Sequence, residues 1–148
     1  MCYNNLLHSL NFVVSRKRNQ RGVFMYLQID FNSDEAIYIQ LRNQIIYGIA
    51  TSQLQEGECL PSVRDLAELI GINMHTVNKV YTLLKQEGYV KLDRRKGAVV
   101  AVDINKIYAV QEMRDELRIV LAKAFCKNIN CEEAHEIVND IFSEFERG

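Results

Sequence analysis

Between Ala36 and about Ser52, the apolar residues Tyr38, Leu41, Ile45 and Ile49 recur at spacings of three and four, which places them on one stripe of a helix. Upstream, Tyr26 to Phe31 alternates in part and is β-prone, and Asn32-Ser33-Asp34 supplies the turn or cap before a helix beginning near Glu35. Leu54 to Leu60 holds Gly57 and ends at the single proline, Pro61, so it reads as a connection with room for a short strand at Glu58 to Leu60. Ser62-Val63-Arg64-Asp65 has the form of a capping box: the Ser62 hydroxyl can accept an early helix N–H and the Asp65 carboxylate can reach back. This predicts a short helix over Val63 to Ile70. Gly71 stands where the chain must leave that helix with positive φ, and Asn73 suits the cap of the next. A third helix then runs to about Glu87 with Val77, Val80, Tyr81 and Leu84 inward and Gly88 as its terminator. Two helices joined by so short a glycine turn form a helix-turn-helix.

After Gly88 the period falls to two. Tyr89 to Leu92, the charged tip Asp93-Arg94-Arg95-Lys96-Gly97, and Ala98 to Val102 read as a hairpin. A helix-turn-helix followed by such a hairpin is a winged helix-turn-helix. From about Asn105 to Lys127 the three-four spacing returns in Ile107, Val110, Met113, Leu117, Val120, Leu121 and Ala124. Asn130-Cys131-Glu132-Glu133 offers another cap, and Ile137, Val138, Ile141, Phe142 and Phe145 make a last amphipathic helix. Two helices of this size cannot enclose a core of their own, so they are expected to pack on a second copy of themselves.

Composition narrows the class. With 148 residues, 48% hydrophobic and 25% charged, the chain suits one ordinary domain or a small domain with an appendage, not a disordered or fibrous protein. No window approaches the ~18 uninterrupted apolar residues of a membrane span. In residues 1–24 the basic cluster Arg16, Lys17, Arg18, Arg21 follows the apolar patch instead of preceding it, the reverse of a secretory signal. A cytoplasmic protein is expected. The four cysteines, Cys2, Cys59, Cys126 and Cys131, form no Cys-x-x-Cys pair, which fits a reducing compartment. Net charge is −1, yet Asn73 to Gly97 carries six cations (Lys79, Lys85, Lys91, Arg94, Arg95, Lys96) against Glu87 and Asp93. A concentrated basic face in an otherwise acidic chain points to a polyanionic partner.

At Pro61-Ser62-Val63-Arg64-Asp65-Leu66-Ala67, Gly71-Ile72-Asn73, Thr76-Val77, Tyr81-x-x-Leu84 and Gly88-Tyr89-Val90 the chain resembles the DNA-binding domain of the GntR family of bacterial transcriptional regulators. The resemblance spans about Asp30 to Val102. The two closing helices, in place of a large effector domain, resemble the small-tailed YtrA-like branch. That branch is similar from Met25-Tyr26-Leu27 onward, with Met25 reading like a usual first residue, so residues 1–24 are expected to be an extension peripheral to the module. Two departures stand out: the family's wing tip commonly reads Gly-x-Gly-Thr-Phe where this chain has Arg95-Lys96-Gly97-Ala98-Val99, and its recognition helix often carries arginines where Met74 and Asn78 stand.

The residues expected to meet DNA follow from the pattern and the resemblance together. A helix lying in the major groove reads bases with side chains near its amino end, while its first N–H groups face phosphate. Asn73, His75, Thr76, Asn78 and Lys79 occupy that part of the third helix, with Asn78 suited to adenine and Thr76 offering a hydroxyl or methyl. Arg64 lies in the first turn of the preceding helix, where the dipole disfavours a cation unless an anion is near; the resemblance places a DNA contact there. Arg94, Arg95, Lys96 and Gly97 form the wing tip and suit backbone or minor-groove contact.

The expected fold is therefore mainly α with a small β-hairpin wing: an extension at 1–24, a winged helix-turn-helix DNA-binding domain at 25–103, and a helical dimerisation tail at 104–148. The expected dimer seam is Ile107, Val110, Met113, Leu117, Leu121, Ile137, Ile141, Phe142 and Phe145. The expected function is a homodimeric repressor on a pseudo-palindromic operator in double-stranded DNA, without cofactor or membrane. No nucleophile-base signature, glycine-rich phosphate loop or paired-carboxylate motif argues for an enzyme. Two alternatives remain open here. One is a winged helix serving as a protein-interaction module. The other is a metal- or thiol-responsive regulator using Cys126, Cys131 and His135, of which Cys131 and His135 share a helix face at a spacing of four.

Overall fold

A computed structural model of the chain describes residues 9–15 and 24–147. The chain divides between Val102 and Asp103 into two compact units.

The first unit is a winged helix-turn-helix. Its elements are β1 (Ser9–Ser15), β2 (Phe24–Asp30), α1 (Ile37–Ala50), α2 (Val63–Ile70), α3 (Met74–Gln86), β3 (Val90–Asp93) and β4 (Gly97–Val100). Helix α1 presents Leu41 and Ile45 inward, with Tyr38 and Ile49 packed at the margin. Leu66, Ala67 and Ile70 of α2 meet Val77, Val80, Tyr81 and Leu84 of α3 in the same core, which Leu54, Leu60, Val90, Ala98 and Val100 close from the wing side. Each local signal does its expected job. The Ser62 hydroxyl accepts the Asp65 N–H at 3.1 Å, although no return bond from the Asp65 carboxylate accompanies it. Gly71 adopts φ +75°, and its N–H and that of Ile72 both bond the Ala67 carbonyl. That turn needs the left-handed region, which a side chain with a Cβ enters at a cost of about 1–2 kcal/mol.

Strands β3 and β4 pair antiparallel from Val90↔Val100 to Asp93↔Gly97. The Gly57–Leu60 connection adds to β4 as a third short strand: the Gly57 N–H bonds the Val100 carbonyl, the Val100 N–H bonds the Glu58 carbonyl and the Leu60 N–H bonds the Ala98 carbonyl, each at 2.8 Å. The wing is thereby sewn to the segment that leads into α2.

Within the segment expected to be an extension at residues 1–24, Ser9–Ser15 forms a strand. All seven residues pair antiparallel with β2, from Ser9↔Asp30 to Ser15↔Phe24. The β-prone run Leu10-Asn11-Phe12-Val13-Val14 carries this strand.

The other edge of β2 is satisfied by side chains. The Gln40 carboxamide accepts the Asp30 N–H at 2.9 Å and donates to the Asp30 carbonyl at 2.9 Å and the Glu35 carbonyl at 2.8 Å. One turn along α1, the Gln44 carboxamide accepts the Gln28 N–H at 2.7 Å and donates to the Gln28 carbonyl. Residues one helical turn apart thus match strand residues two apart, and the glutamines stand in for a neighbouring strand. Alternation leaves the backbone groups of Leu27 and Ile29 facing β1, while both side chains are fully buried in the core. Among the described residues, Gln40 is the one buried polar or charged residue. Gln40→Leu should lower the unfolding free energy in urea by about 1–3 kcal/mol, because it leaves backbone groups of Asp30 and Glu35 without partners. DNA binding by the folded fraction should not change.

The second unit holds α4 (Lys106–Phe125) and α5 (Cys131–Glu146). Asn130 caps α5 in a capping box: its side chain accepts the Glu132 and Glu133 N–H groups, and the Glu133 carboxylate accepts the Asn130 N–H at 2.8 Å. No residue of either helix is buried. Among the described residues, no helix is long and apolar enough to cross a membrane.

Candidate nucleic-acid interface

Helix α3 turns Val77, Val80, Tyr81 and Leu84 into the core, which fixes what its opposite side presents. His75, Asn78 and Lys79 are exposed, and Thr76 is half-exposed at the flank. Spacings of three and four from His75 put Asn78 and Lys79 on one face near the amino end. Asn73 belongs to the scaffold of that face: its Oδ1 accepts the His75 N–H at 2.8 Å as the α3 cap.

The angle of α3 is set by three contacts that no periodicity announces. The Tyr81 hydroxyl, buried with its ring, donates to the Pro61 carbonyl at 2.7 Å and so ties α3 to the residue before α2. Burial, reinforced by the Asp65 carboxylate, pushes that phenol above the ordinary tyrosine range, so at neutral pH it keeps the proton it donates to Pro61. Arg42 of α1 places its Nε 2.9 and 2.7 Å from the two oxygens of Glu87, the α3 C-cap. Lys79 holds its ammonium 3.5 Å from the centre of the Tyr38 ring on α1.

Arg64 is exposed in the first turn of α2. Its neighbour Glu68 does not hold it: among the described residues, none of Arg64, Lys79, Arg94, Arg95 and Lys96 forms an ion pair with a carboxylate. Cations without a carboxylate in contact keep most of their attraction for an outside anion.

At the wing tip, Asp93 organises the basic residues around it. Its Oδ1 accepts the Arg95 N–H at 2.7 Å and the Lys96 N–H at 2.8 Å, and Gly97 closes the turn at φ +81°. These backbone bonds, Lys96 first and then Arg95, with the Lys96 charge behind them, hold the carboxyl below the usual carboxylate range. The ordering of the tip is therefore complete above the ordinary carboxylate pKa and is lost only as pH falls through the lowered one. Asp93→Asn keeps the acceptor and removes a negative charge from the basic tip. It should tighten binding to mixed-sequence DNA and steepen its salt dependence, whereas Asp93→Ala removes the acceptor and should gain less. Fluorescence titration of the two variants at several salt concentrations reads the difference.

On the second unit, Ile107, Val110, Met113, Leu121, Ile137, Ile141 and Phe142 are exposed large apolar residues, while Leu117 and Phe145 are half-buried. Ile104, Tyr108, Ile119 and Phe125 are also exposed and were absent from the expected seam. Val110, Met113, Leu117 and Leu121 line an open trough of about 550 Å³ rimmed by Arg114 and Arg118. The three-ligand arrangement of Cys126, Cys131 and His135 is not assembled. The Cys131 sulfur lies 3.4 Å from His135 Nδ1, which is itself 2.8 Å from the Cys131 carbonyl. Among the described residues no three metal-ligating side chains come together.

Residues 34–100 match the family described as bacterial regulatory proteins, gntR family. The helix-turn-helix transcriptional regulator YhcF of Bacillus subtilis (strain 168) is 31% identical over 99 residues, covering 67% of this chain and 79% of its own. The transcriptional repressor YtrA of the same organism is 28% identical over 125 residues, 82% of this chain and 96% of its own. Among solved structures, YtrA from Sulfolobus acidocaldarius, a GntR-family transcription factor, superposes with a TM-score of 0.56 at 37% identity over 66% of this chain and 95% of that one.

Proposed function

Because this chain belongs to the GntR family, whose members are DNA-binding transcription regulators and not enzymes, we propose that it is a homodimeric repressor that reads a pseudo-palindromic operator. One observation carries this reading: α3 is anchored to the core and to α1 on one side and presents His75, Thr76, Asn78 and Lys79 on the other, with Arg64 and the wing tip adding unpaired cations. Asn78 is suited to a two-point bond with adenine, and Thr76 to a base edge or a thymine methyl. Arg64, Lys79, Arg94, Arg95 and Lys96 supply attraction for phosphates, with the Gly97 backbone close beside them.

Dimerisation is proposed through the second unit. No residue of its two helices is fully buried, and they carry the exposed apolar residues named above, a concentration of apolar surface that marks an interaction face. A second copy buries those faces and brings two α3 helices into one assembly, one for each half of a two-fold operator. YtrA of Bacillus subtilis, matched over nearly its whole length, is a repressor, and that supports the same sign of regulation here.

An electrophoretic shift with genomic fragments tests the proposal. A salt-sensitive shift confined to particular fragments is expected. Binding equally to all fragments, or to none, rejects an operator-specific repressor and favours the protein-interaction reading of the winged helix.

A further inference from the structure

We propose that Tyr38 is a positioning residue for DNA binding, its ring holding the Lys79 ammonium in place so that the cation meets a phosphate already ordered and still fully charged. The inference rests on the reading of α3 as the DNA-facing helix.

The two helices α1 and α3 are joined at the surface by two polar contacts of opposite character. Near the carboxyl end of α3, Arg42 meets Glu87 carboxylate to guanidinium, and the two charges cancel. Near the amino end, on the face shared with His75 and Asn78, Lys79 meets an aromatic ring 3.5 Å away. Tyr38 and Arg42 lie one helical turn apart on α1, so a single face of that helix makes both contacts. The difference between them is electrostatic. A ring attracts a cation through the negative potential of its face, and it carries no charge of its own. A carboxylate at position 38 would fix the lysine as firmly and neutralise it.

The ring is also a firm support. Tyr38 packs against the hydrophobic core, while Lys79 itself stays exposed. A free lysine has a long flexible stem whose rotamers must be frozen when it grips a phosphate. Resting the ammonium on a ring fixed by core packing moves that ordering from the binding step to the folding step, which strengthens binding without any new contact to DNA. The other side of the ammonium remains open to an anion.

Phosphate contacts do not depend on sequence, so a mixed-sequence duplex is a sufficient probe. Its affinity should be measured across salt concentrations for the wild type, Tyr38→Phe, Tyr38→Leu, Lys79→Gln and the double variant Tyr38→Leu with Lys79→Gln. Lys79→Gln should make the log-log salt slope shallower by about one unit. Tyr38→Leu should weaken binding by about two- to fivefold, Tyr38→Phe should bind as the wild type does, and Tyr38→Leu should add nothing once Lys79 is glutamine. Without DNA, the Lys79 methylene protons next to the ammonium should be shifted upfield by the ring in the wild type and Tyr38→Phe, and should lose that shift in Tyr38→Leu. If thermal melts show Tyr38→Leu to be partly unfolded, Tyr38→Met takes its place in the cycle.

Additive losses in the double variant, or a Tyr38→Phe protein as weak as Tyr38→Leu, overturn the proposal while leaving α3 as the DNA-facing helix. A wild type that fails to bind the duplex overturns that broader reading and the proposal with it.

Discussion

Leu117→Glu should convert the proposed dimer to a monomer in sedimentation and weaken binding to the proposed operator by about two to four orders of magnitude. Leu117 stands half-buried in the middle of α4, among Val110, Met113 and Leu121 in the apolar trough. A carboxylate there either stays in water and holds the second copy away, or is buried without a counter-charge at a cost no surface pair recovers. The DNA effect follows from geometry. In a dimer, the second α3 meets its half-site at the effective concentration set by the first, and a monomer loses that advantage without losing any contact of its own. Stability separates this from unfolding. Among the described residues, every member of the hydrophobic core lies between Leu27 and Val100, and no residue of α4 or α5 is fully buried, so the winged helix-turn-helix should keep its melting transition. A Leu117→Glu protein that sediments as an unchanged dimer places the interface elsewhere.

Replacing Arg94, Arg95 and Lys96 together by alanine should make the salt slope of DNA binding shallower by up to about three units and reduce affinity for operator and mixed-sequence DNA by similar factors. These side chains form no ion pairs with carboxylates among the described residues, so what they attract is available to an outside polyanion. The turn itself is built from other groups: the Asp93 carboxylate bonds backbone N–H groups, and Gly97 supplies the positive φ. Alanines therefore remove charge without removing the hairpin. Equal loss on both DNAs identifies backbone contact. A loss confined to the operator would instead show that the wing reads bases.

The helices and the wing were legible because their signals are local. Ser62, Gly71, Asn73, Gly88 and Asn130 each mark a boundary through the backbone within a few residues of itself, and the structure places α2, α3 and α5 between those marks. The side of α3 that faces outward followed from the same periodicity, since Val77, Val80 and Tyr81 leave His75, Asn78 and Lys79 only one way to point. What escaped is non-local and polar. Gln40 and Gln44 read as ordinary helix residues until the edge of β2 lies beside them. The pairs Arg42–Glu87 and Tyr38–Lys79 join residues more than forty positions apart, and no spacing rule connects them. Residues Ser9–Ser15 read only as part of an apolar patch in an extension, and their pairing with β2 was not anticipated. Asn73 read as a DNA contact and as a cap at once, and its bond to His75 is the cap.

The central claim is that α3 reads base sequence, and its most direct test is an affinity ratio. Duplexes selected by the wild-type protein from a random pool should be compared with scrambled duplexes of the same composition, for the wild type and for Asn78→Ala. The wild type should prefer the selected sequence by about 10³-fold or more. Asn78→Ala should lose about 1–3 kcal/mol on the selected duplex and much less on the scrambled one, so that the ratio falls. A pool that yields no preferred sequence, or an Asn78→Ala protein that weakens on both duplexes equally, would contradict the assignment of α3 as the recognition helix.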